Sequence, residues 1–309
     1  MGPTASGKSD AAIRLAKKIG GEIISADSRQ IFRGMDKGTG KVIKDDTIPK
    51  EQAARNKHTE YFFSDGVRHY LIDMINPMED FNVSHFKIAA EKAIEKIFAK
   101  KKIPIICGGT GFWIDTLISD IPLPEVPPNE LLRSKLQSKS AEELFFLLQE
   151  KDQERALAID PCNKVRLIRA LEIINALGKV PPIQDTKYKI QNKNYDFLQL
   201  AISVPKELLD EKIKKRLNQR FDEGMIEEIK QLHAQGVSYE WMEKIGLEYR
   251  WISRFLQGKV LEKEMREKLF YDIVHYAKRQ ITWLRKNSQI LWCSNYTEIE
   301  KAVGSFLGK

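Results

Sequence analysis

Over its first 110 residues the chain alternates short apolar runs with stretches of helical periodicity. DAAIRLAKKIG, residues 10–20, spaces its apolar side chains for a helix that ends at Gly20 and Gly21. EIISA, residues 22–26, has the length of a buried strand and delivers the polar segment DSRQ. Residues 40–68 show no clear period and read as a long, partly irregular excursion, after which HYLIDMI, residues 69–75, has strand character. Phe86, Ala90, Ile94 and Ile97 recur at helical spacing, with Ser84 placed to cap them. IPIIC, residues 103–107, is the next buried strand and runs straight into GGTGFW. Strands that alternate with helices, with glycine and polar residues at the strand ends, predict an α/β fold. Its sheet is open and mostly parallel, flanked by helices, with the site at the carboxyl edge.

The rhythm breaks at DIPLPEVPPNE, which holds four prolines, and again at GKVPPIQD. The helix-rich stretch between them predicts an inserted helical subdomain over residues 121–195, with residues 1–120 and 196–309 forming one core. FLQLAISV returns to strand character, KELLDEKIKKRLNQRF and residues 261–287 read as long helices, and QILWC as a late strand.

The chain has 309 residues, 42% of them hydrophobic and 30% charged, the profile of a globular protein that can bury a sizeable core. No apolar run approaches the roughly 20 residues of a membrane helix, so no membrane association is expected. Cys107, Cys162 and Cys293 lie far apart with no zinc spacing, which excludes a disulfide framework and points to a reducing cytoplasm. The formal net charge of +8 favours an anionic partner such as nucleic acid.

Gly2-Pro3-Thr4-Ala5-Ser6-Gly7-Lys8-Ser9 fits G-x-x-x-x-G-K-[ST], a phosphate-binding loop, and a helix pattern follows at once. Backbone N–H groups and the helix terminus make such a loop an anion nest, with Lys8 meeting phosphate charge and the Ser9 hydroxyl placed for Mg²⁺. This makes the sheet P-loop NTPase-like, although the loop alone does not say whether its ligand is a nucleotide. Such a loop ordinarily follows a buried strand, yet only Met1 precedes it here. The first strand is therefore read as truncated, with Met1 as its last residue and an internal methionine as the start.

Asp27 follows a predicted strand beside the loop, where a carboxylate can hold Mg²⁺ through water, act as a general base, or merely cap a turn. The surrounding DSRQIFRGMDKGTGK concentrates cations that suit a docking anion. GGT at 108–110 lets a ligand approach the backbone beside the Thr110 hydroxyl, or is simply a strand-to-helix turn. KIKKRLNQR, with Arg216 and Arg220, reads as a solvated helix face. AKRQITWLRK gathers Arg279, Thr282, Trp283 and Lys286 on neighbouring turns, which suits nucleic-acid contact or a core tryptophan ringed by surface charge.

Taken together, GPTASGKS, DSRQIFRGMDKGTGK, HYLID, GGTGFW, NKVRLIRALEI, RLNQRFDEGMIEE and AKRQITWLRK resemble the tRNA dimethylallyltransferases, in the family's order and across nearly the whole chain. The resemblance implies that the loop holds the diphosphate of dimethylallyl diphosphate, with Mg²⁺. The acceptor it implies is N6 of the adenosine 3′-adjacent to the anticodon, position 37. Asp27 falls at the family's catalytic aspartate, Thr110 at a threonine near the reacting groups, and Arg220 at a basic residue that neutralises the leaving group. Asp27, Ser28, Arg29 and Gln30, Thr110, Val165, Arg166, Leu167, Ile168 and Arg169 match tRNA-contacting segments, as do Lys278, Arg279, Gln280, Thr282, Trp283 and Arg285. The partner implied is a tRNA anticodon stem-loop, gripped by the helical subdomain, and a monomer is expected. The chain departs from the family at IGLEYR, where G-Y-[KR] is usual and where a further tRNA contact over residues 246–250 is carried over. It departs also at Trp113, where tyrosine is usual, and over residues 45–65, which look longer than the common bacterial form. Two other readings stay open: an isopentenyltransferase acting on free adenine nucleotides, and an ATP-dependent RNA-binding protein or kinase.

Overall fold

The computed structural model describes residues 1–46, 62–121, 123–181 and 194–308. They fall into two compact units, Met1–Asp120 with Lys187–Lys309, and Ile121–Thr186.

In the first unit, β1 (Gly21–Ala26) is buried along its whole length. It lies between β3 (Val67–Tyr70) and β4 (Ile103–Gly108), parallel to both, while β2 (Phe62–Ser64) pairs antiparallel with β3 at the edge. Side chains alternate across β1 as a pleat requires. Ile23 packs on helix α1 (Lys8–Ile19) with Ala12, Ile13 and Ala16. Ile24 and Ala26 face the opposite core with Phe86, Ala90 and Ile94 of α2 (Val83–Phe98) and Ile114 of α3 (Gly111–Ile118). The open, mostly parallel sheet is thus as expected.

Three local expectations shift. The strand predicted over HYLIDMI stops at Tyr70, because Leu71 and Asp73 adopt φ of 62° and 54°, which no strand can hold. The cap of α2 is Asn82, whose carboxamide oxygen accepts from the Ser84 and His85 amides, and not Ser84. Residues 47–61 of the irregular excursion, and residues 182–185 of the GKVPPIQD break, lie outside the described residues. Trp113 is a core residue stacked on Phe86, with ring centroids 4.5 Å apart.

A second, two-stranded parallel sheet joins β5 (Leu200–Ile202) to β6 (Leu291–Cys293). On the far edge of β5, the Met1 amino group donates to the Leu200 carbonyl at 2.6 Å and the Ile202 amide donates to the Met1 carbonyl at 3.1 Å, the two bonds of a parallel bridge. Met1 and β5 face β4 across an apolar cavity of about 300 Å³ lined by Leu15, Ile94, Ile105, Ile114, Phe197 and Leu200 among others. β4 borders this space, which leaves five of its six residues only half-buried although the strand is wholly apolar in character.

The remaining helices of this unit are α8 (Lys206–Asp222), α9 (Met225–Ala234), α10 (Tyr239–Ile245), α11 (Leu247–Leu256), α12 (Glu262–Leu284) and α13 (Tyr296–Phe306). The second unit holds α4 (Glu130–Gln137), α5 (Ala141–Lys151), α6 (Gln153–Leu157) and α7 (Lys164–Leu177) around Leu144, Leu148, Leu167 and Leu171. The Glu172 side chain is fully buried there. It takes two bonds from Arg133 at 2.7 and 2.9 Å, one from Arg169 at 3.3 Å and one from the Asn129 amide at 2.9 Å.

Candidate active site

The phosphate loop leads into α1, whose first-turn amides have no intrahelical acceptors and so point at whatever the loop holds. Ala5 and Gly7 have φ of 60° and 84°. A left-handed alanine is strained, and strain of this kind gathers at binding loops. The Ser6 hydroxyl is buried with no hydrogen-bond partner among the described residues, a polar atom left for an incoming oxygen. The Lys8 ammonium donates to the Pro3 carbonyl at 3.3 Å.

Asp27 ends up beside this loop because it follows β1, while Thr110 follows β4, which pairs with β1 through Ala26 and Gly108. An Asp27 carboxylate oxygen accepts from the Arg29 amide at 3.0 Å. The turn-capping reading of Asp27 is therefore true of its geometry and leaves its second oxygen for chemistry. The Thr110 hydroxyl accepts from the Ser28 amide at 3.1 Å, tying the two strand ends together.

Cations converge on this spot. Arg29 donates to Glu248 of α11 at 2.9 Å, and Arg220 of α8 donates to the other oxygen of the same carboxylate at 3.2 Å. Arg216, one turn before Arg220, hydrogen bonds the Thr4 hydroxyl in the loop. Burial lowers the pKa of Lys8, Arg216 and Arg220 from their ordinary values, and for Arg216 the neighbouring Arg220 lowers it further. Burial acts in the same sense on Arg29, but Glu248 and Asp27 outweigh it and hold that guanidinium above its ordinary value. Four cations thus face two carboxylates, Asp27 and Glu248. A buried positive excess of this kind is costly and is relieved by an anion, and a polyphosphate answers it.

The sequence alone places Arg216 on a solvated helix face. On α8 the residues Leu209, Ile213, Leu217 and Phe221 are buried, and Arg216 and Arg220 flank that stripe, so helical phase distinguishes them from the exposed Lys212, Lys214 and Lys215. The sequence does not mark Tyr276, and it marks Glu248 only within the segment 246–250, as a tRNA contact and not as an ion-pair partner. The Tyr276 hydroxyl is pushed up to about 12 by burial and by Asp27, and the Arg29 and Arg279 guanidiniums lie 5.5 and 5.8 Å from its ring.

The residues matched to tRNA contacts divide by exposure. Lys278, Arg279 and Thr282 are exposed on α12 and Arg285 at its C-cap, and Val165 and Arg166 are exposed on α7. Leu167 and Ile168 are core residues of the second unit, so side-chain contact with RNA at those two is ruled out by packing. Arg169 is tied to Glu172 and the Val126 carbonyl. Gln30 is bonded to Ser25 and the Gly40 carbonyl. Gln280 is buried, and the Trp283 indole N–H donates to Asp115 at 2.7 Å. Of residues 246–250, Glu248 and Tyr249 point inward and Arg250 donates to the Glu243 carbonyl.

Glu228 of α9 holds the Asp36–Gly38 stretch that follows Asp27 in place. One of its oxygens accepts from the Asp36 and Lys37 amides at 2.9 and 2.7 Å, the other from the Gly38 amide at 3.1 Å and the Tyr249 hydroxyl at 3.0 Å. Glu228→Gln would set an amide N–H₂ against those donors. It is expected to cost about 2 kcal/mol, read as a melting temperature lower by roughly 4–8 °C.

The family model described as IPP transferase matches residues 30–287, and one described as isopentenyl transferase matches residues 1–52. The chain belongs to the IPP transferase family. A tRNA dimethylallyltransferase 2 of Treponema denticola is 39% identical over 290 residues, covering 93% of this chain and 90% of that one. The tRNA isopentenylpyrophosphate transferase of Bacillus halodurans is similar in structure, with a TM-score of 0.67 and 30% identity over 99% of this chain and 93% of that one. A eukaryotic dimethylallyltransferase described as acting on tRNA has a TM-score of 0.75 at 23% identity, covering 99% of this chain and 76% of that one, and bears on the fold alone. Arg29 of DSRQIFRGMD and Gln280 of RQITW both reach this site, Arg29 through Glu248 and Gln280 through the Thr4 amide.

Proposed function

We propose that this protein transfers a dimethylallyl group from dimethylallyl diphosphate to the N6 amine of adenosine 37 in tRNA, releasing diphosphate. The observation that carries this reading is the pocket itself: a phosphate loop, a positive excess from Lys8, Arg29, Arg216 and Arg220, and one carboxylate at the strand end beside them. The adenine N6 lone pair attacks C1 of the allyl group, the C1–O bond breaks, and diphosphate leaves with the electron pair. N6 then gives up one proton, for which Asp27 is the acceptor. The amine is a poor nucleophile because its lone pair is delocalised into the ring, so neutralising the leaving group carries much of the burden. An adenine in a stacked loop must be extruded to reach this site.

The Ser9 hydroxyl is the direct oxygen donor proposed for Mg²⁺, with Asp27 reaching the ion only through water. No group of three or more His, Cys, Asp or Glu side chains able to hold a metal occurs among the described residues. That suits Mg²⁺, which takes one or two protein ligands and keeps its water and phosphate oxygens. When bound, it supplies further charge neutralisation to the departing diphosphate.

The exposed Lys278, Arg279 and Thr282 on α12, with Arg285 and Lys286 just past its end, are proposed to meet tRNA phosphates, and Val165 and Arg166 to contact the anticodon stem. Arg279→Ala and Lys286→Ala are each expected to raise KM for tRNA with little change for dimethylallyl diphosphate. Each should also reduce the slope of log affinity against log salt by about 0.7–0.9. Unchanged slopes in both would return α12 to plain surface charge.

Mass analysis of nucleosides from tRNA incubated with the protein and dimethylallyl diphosphate tests the whole reading. The expected product is a dimethylallyl adduct of adenosine, absent when residue 37 is not adenosine. Prenylation of AMP in preference to tRNA, or protection against thermal unfolding by ATP and not by dimethylallyl diphosphate, would overturn it. No helix among the described residues is long and apolar enough to cross a membrane; a cytoplasmic, monomeric enzyme is the accompanying proposal.

A further inference from the structure

Helix α12 has two faces. Lys278, Arg279 and Thr282 are exposed on one, continued past the helix end by the exposed Arg285 and Lys286, while Gln280 is buried on the other. The Gln280 carboxamide oxygen accepts from the Thr4 amide of the phosphate loop at 2.8 Å, and its nitrogen donates to the Gly109 carbonyl at 2.9 Å. One orientation of the amide serves both partners, because an N–H must meet an acceptor and an oxygen a donor. The two partners are the segments on which the chemistry rests, the loop that holds the leaving group and the turn that carries Thr110.

The glycines of the GGTG turn make room for this contact. A Cβ at Gly109 would stand 2.2 Å from the Gln280 side-chain nitrogen, and one at Gly111 would stand 2.3 Å from Trp283 Cδ1. Neither distance is tolerable without displacing α12 side chains.

We infer that Gln280 is a positioning residue that sets the phosphate loop and the Thr110 turn in one register and fixes both to the helix with the cationic outer face. The leaving group and the docking surface for the acceptor are thereby aligned through a single amide. The inference rests on the proposed reading of the loop as a diphosphate site. Its force comes from the steep dependence of group transfer on placement, where a shift of about 1 Å costs on the order of 10² in rate.

Two variants test it. Gln280→Met keeps the bulk and loses both hydrogen bonds. Gly109→Ala leaves Gln280 in the chain but pushes its amide aside. Each is expected to weaken protection against thermal unfolding by magnesium diphosphate about tenfold in the concentration required. Each should also lower kcat at least tenfold, while tRNA affinity and its salt slope stay within twofold and twofold-equivalent limits of the wild type. If both act on one contact, the double variant is no worse than the more affected single. Unchanged diphosphate protection in a folded Gln280→Met protein overturns the inference, as does a loss of tRNA affinity with diphosphate protection intact. Additive losses in the double variant also overturn it. Should Gln280→Met fail to fold, Gly109→Ala alone decides by the same split. Wild-type protein left unprotected by magnesium diphosphate would overturn the reading of the loop itself, a result distinct from losses confined to the variants.

Discussion

Asp27→Asn is expected to lower single-turnover prenylation of tRNA by about 10²–10⁴, the range a positioned general base contributes. The substitution isolates the proton-accepting role because asparagine keeps the turn. Its side-chain oxygen can still accept from the Arg29 amide, the bond that measures 3.0 Å with the carboxylate. The Thr110–Ser28 bond that joins the ends of β4 and β1 does not involve Asp27 and should survive. Binding of diphosphate should not weaken, because the cations around the loop then face one carboxylate fewer. Removing a negative charge beside Lys8 and Arg29 would favour an anionic ligand if it had any effect. The expected signature is therefore a collapse of the chemical step with the affinities for tRNA and diphosphate held within about twofold. A loss under threefold in single turnover would remove Asp27 from the role of base.

Lys8→Ala is expected to lower kcat by about 10²–10³, the loss seen when one preorganised donor to a developing charge is removed. Among the described residues the Lys8 ammonium has a hydrogen bond to the Pro3 carbonyl alone, at 3.3 Å, and burial lowers its pKa against the pull of Cys107 and Asp27. An ammonium held dry and under-paired gains most from an anion whose charge is growing, as on the diphosphate oxygens when the allylic bond breaks. The gain is larger in the transition state than in the bound substrate, so kcat should fall more than KM rises. Steady-state kinetics with dimethylallyl diphosphate as the varied substrate separates the cases. A raised KM at unchanged kcat would make Lys8 a ground-state anchor and would shift the catalytic burden to Arg216 and Arg220.

Much of this site could be read from short stretches of the chain. The phosphate loop is legible because its function depends on backbone N–H directions, which a fixed spacing of glycine, lysine and serine encodes locally. Asp27 and Thr110 were legible for a related reason. Each follows an apolar run of strand length, and in a parallel sheet the carboxyl ends of neighbouring strands lie side by side. The elements around them followed from periodicity, with errors where one residue's backbone overrode the pattern, as at Leu71 and Asp73.

The rest was decided by packing across long sequence separations. The cationic excess needs Arg216 and Arg220 from α8 and Glu248 from α11 to meet Arg29 at the end of β1. Nothing near Arg29 in sequence announces Glu248. RQITW was legible as a block but not in its parts. Sequence shows Gln280, Trp283, Arg279 and Arg285 as equals, whereas the phase of α12 sends the first two inward and the last two to solvent. Val165 to Arg169 were split in the same way, with Leu167 and Ile168 taken by the core of the second unit. Sequence by itself determined the family's chemistry-bearing segments, because each is encoded within a few residues. Tertiary structure alone decided which side chains face the ligand and which hold the others in place, because a helix assigns its faces only against the surface on which it packs.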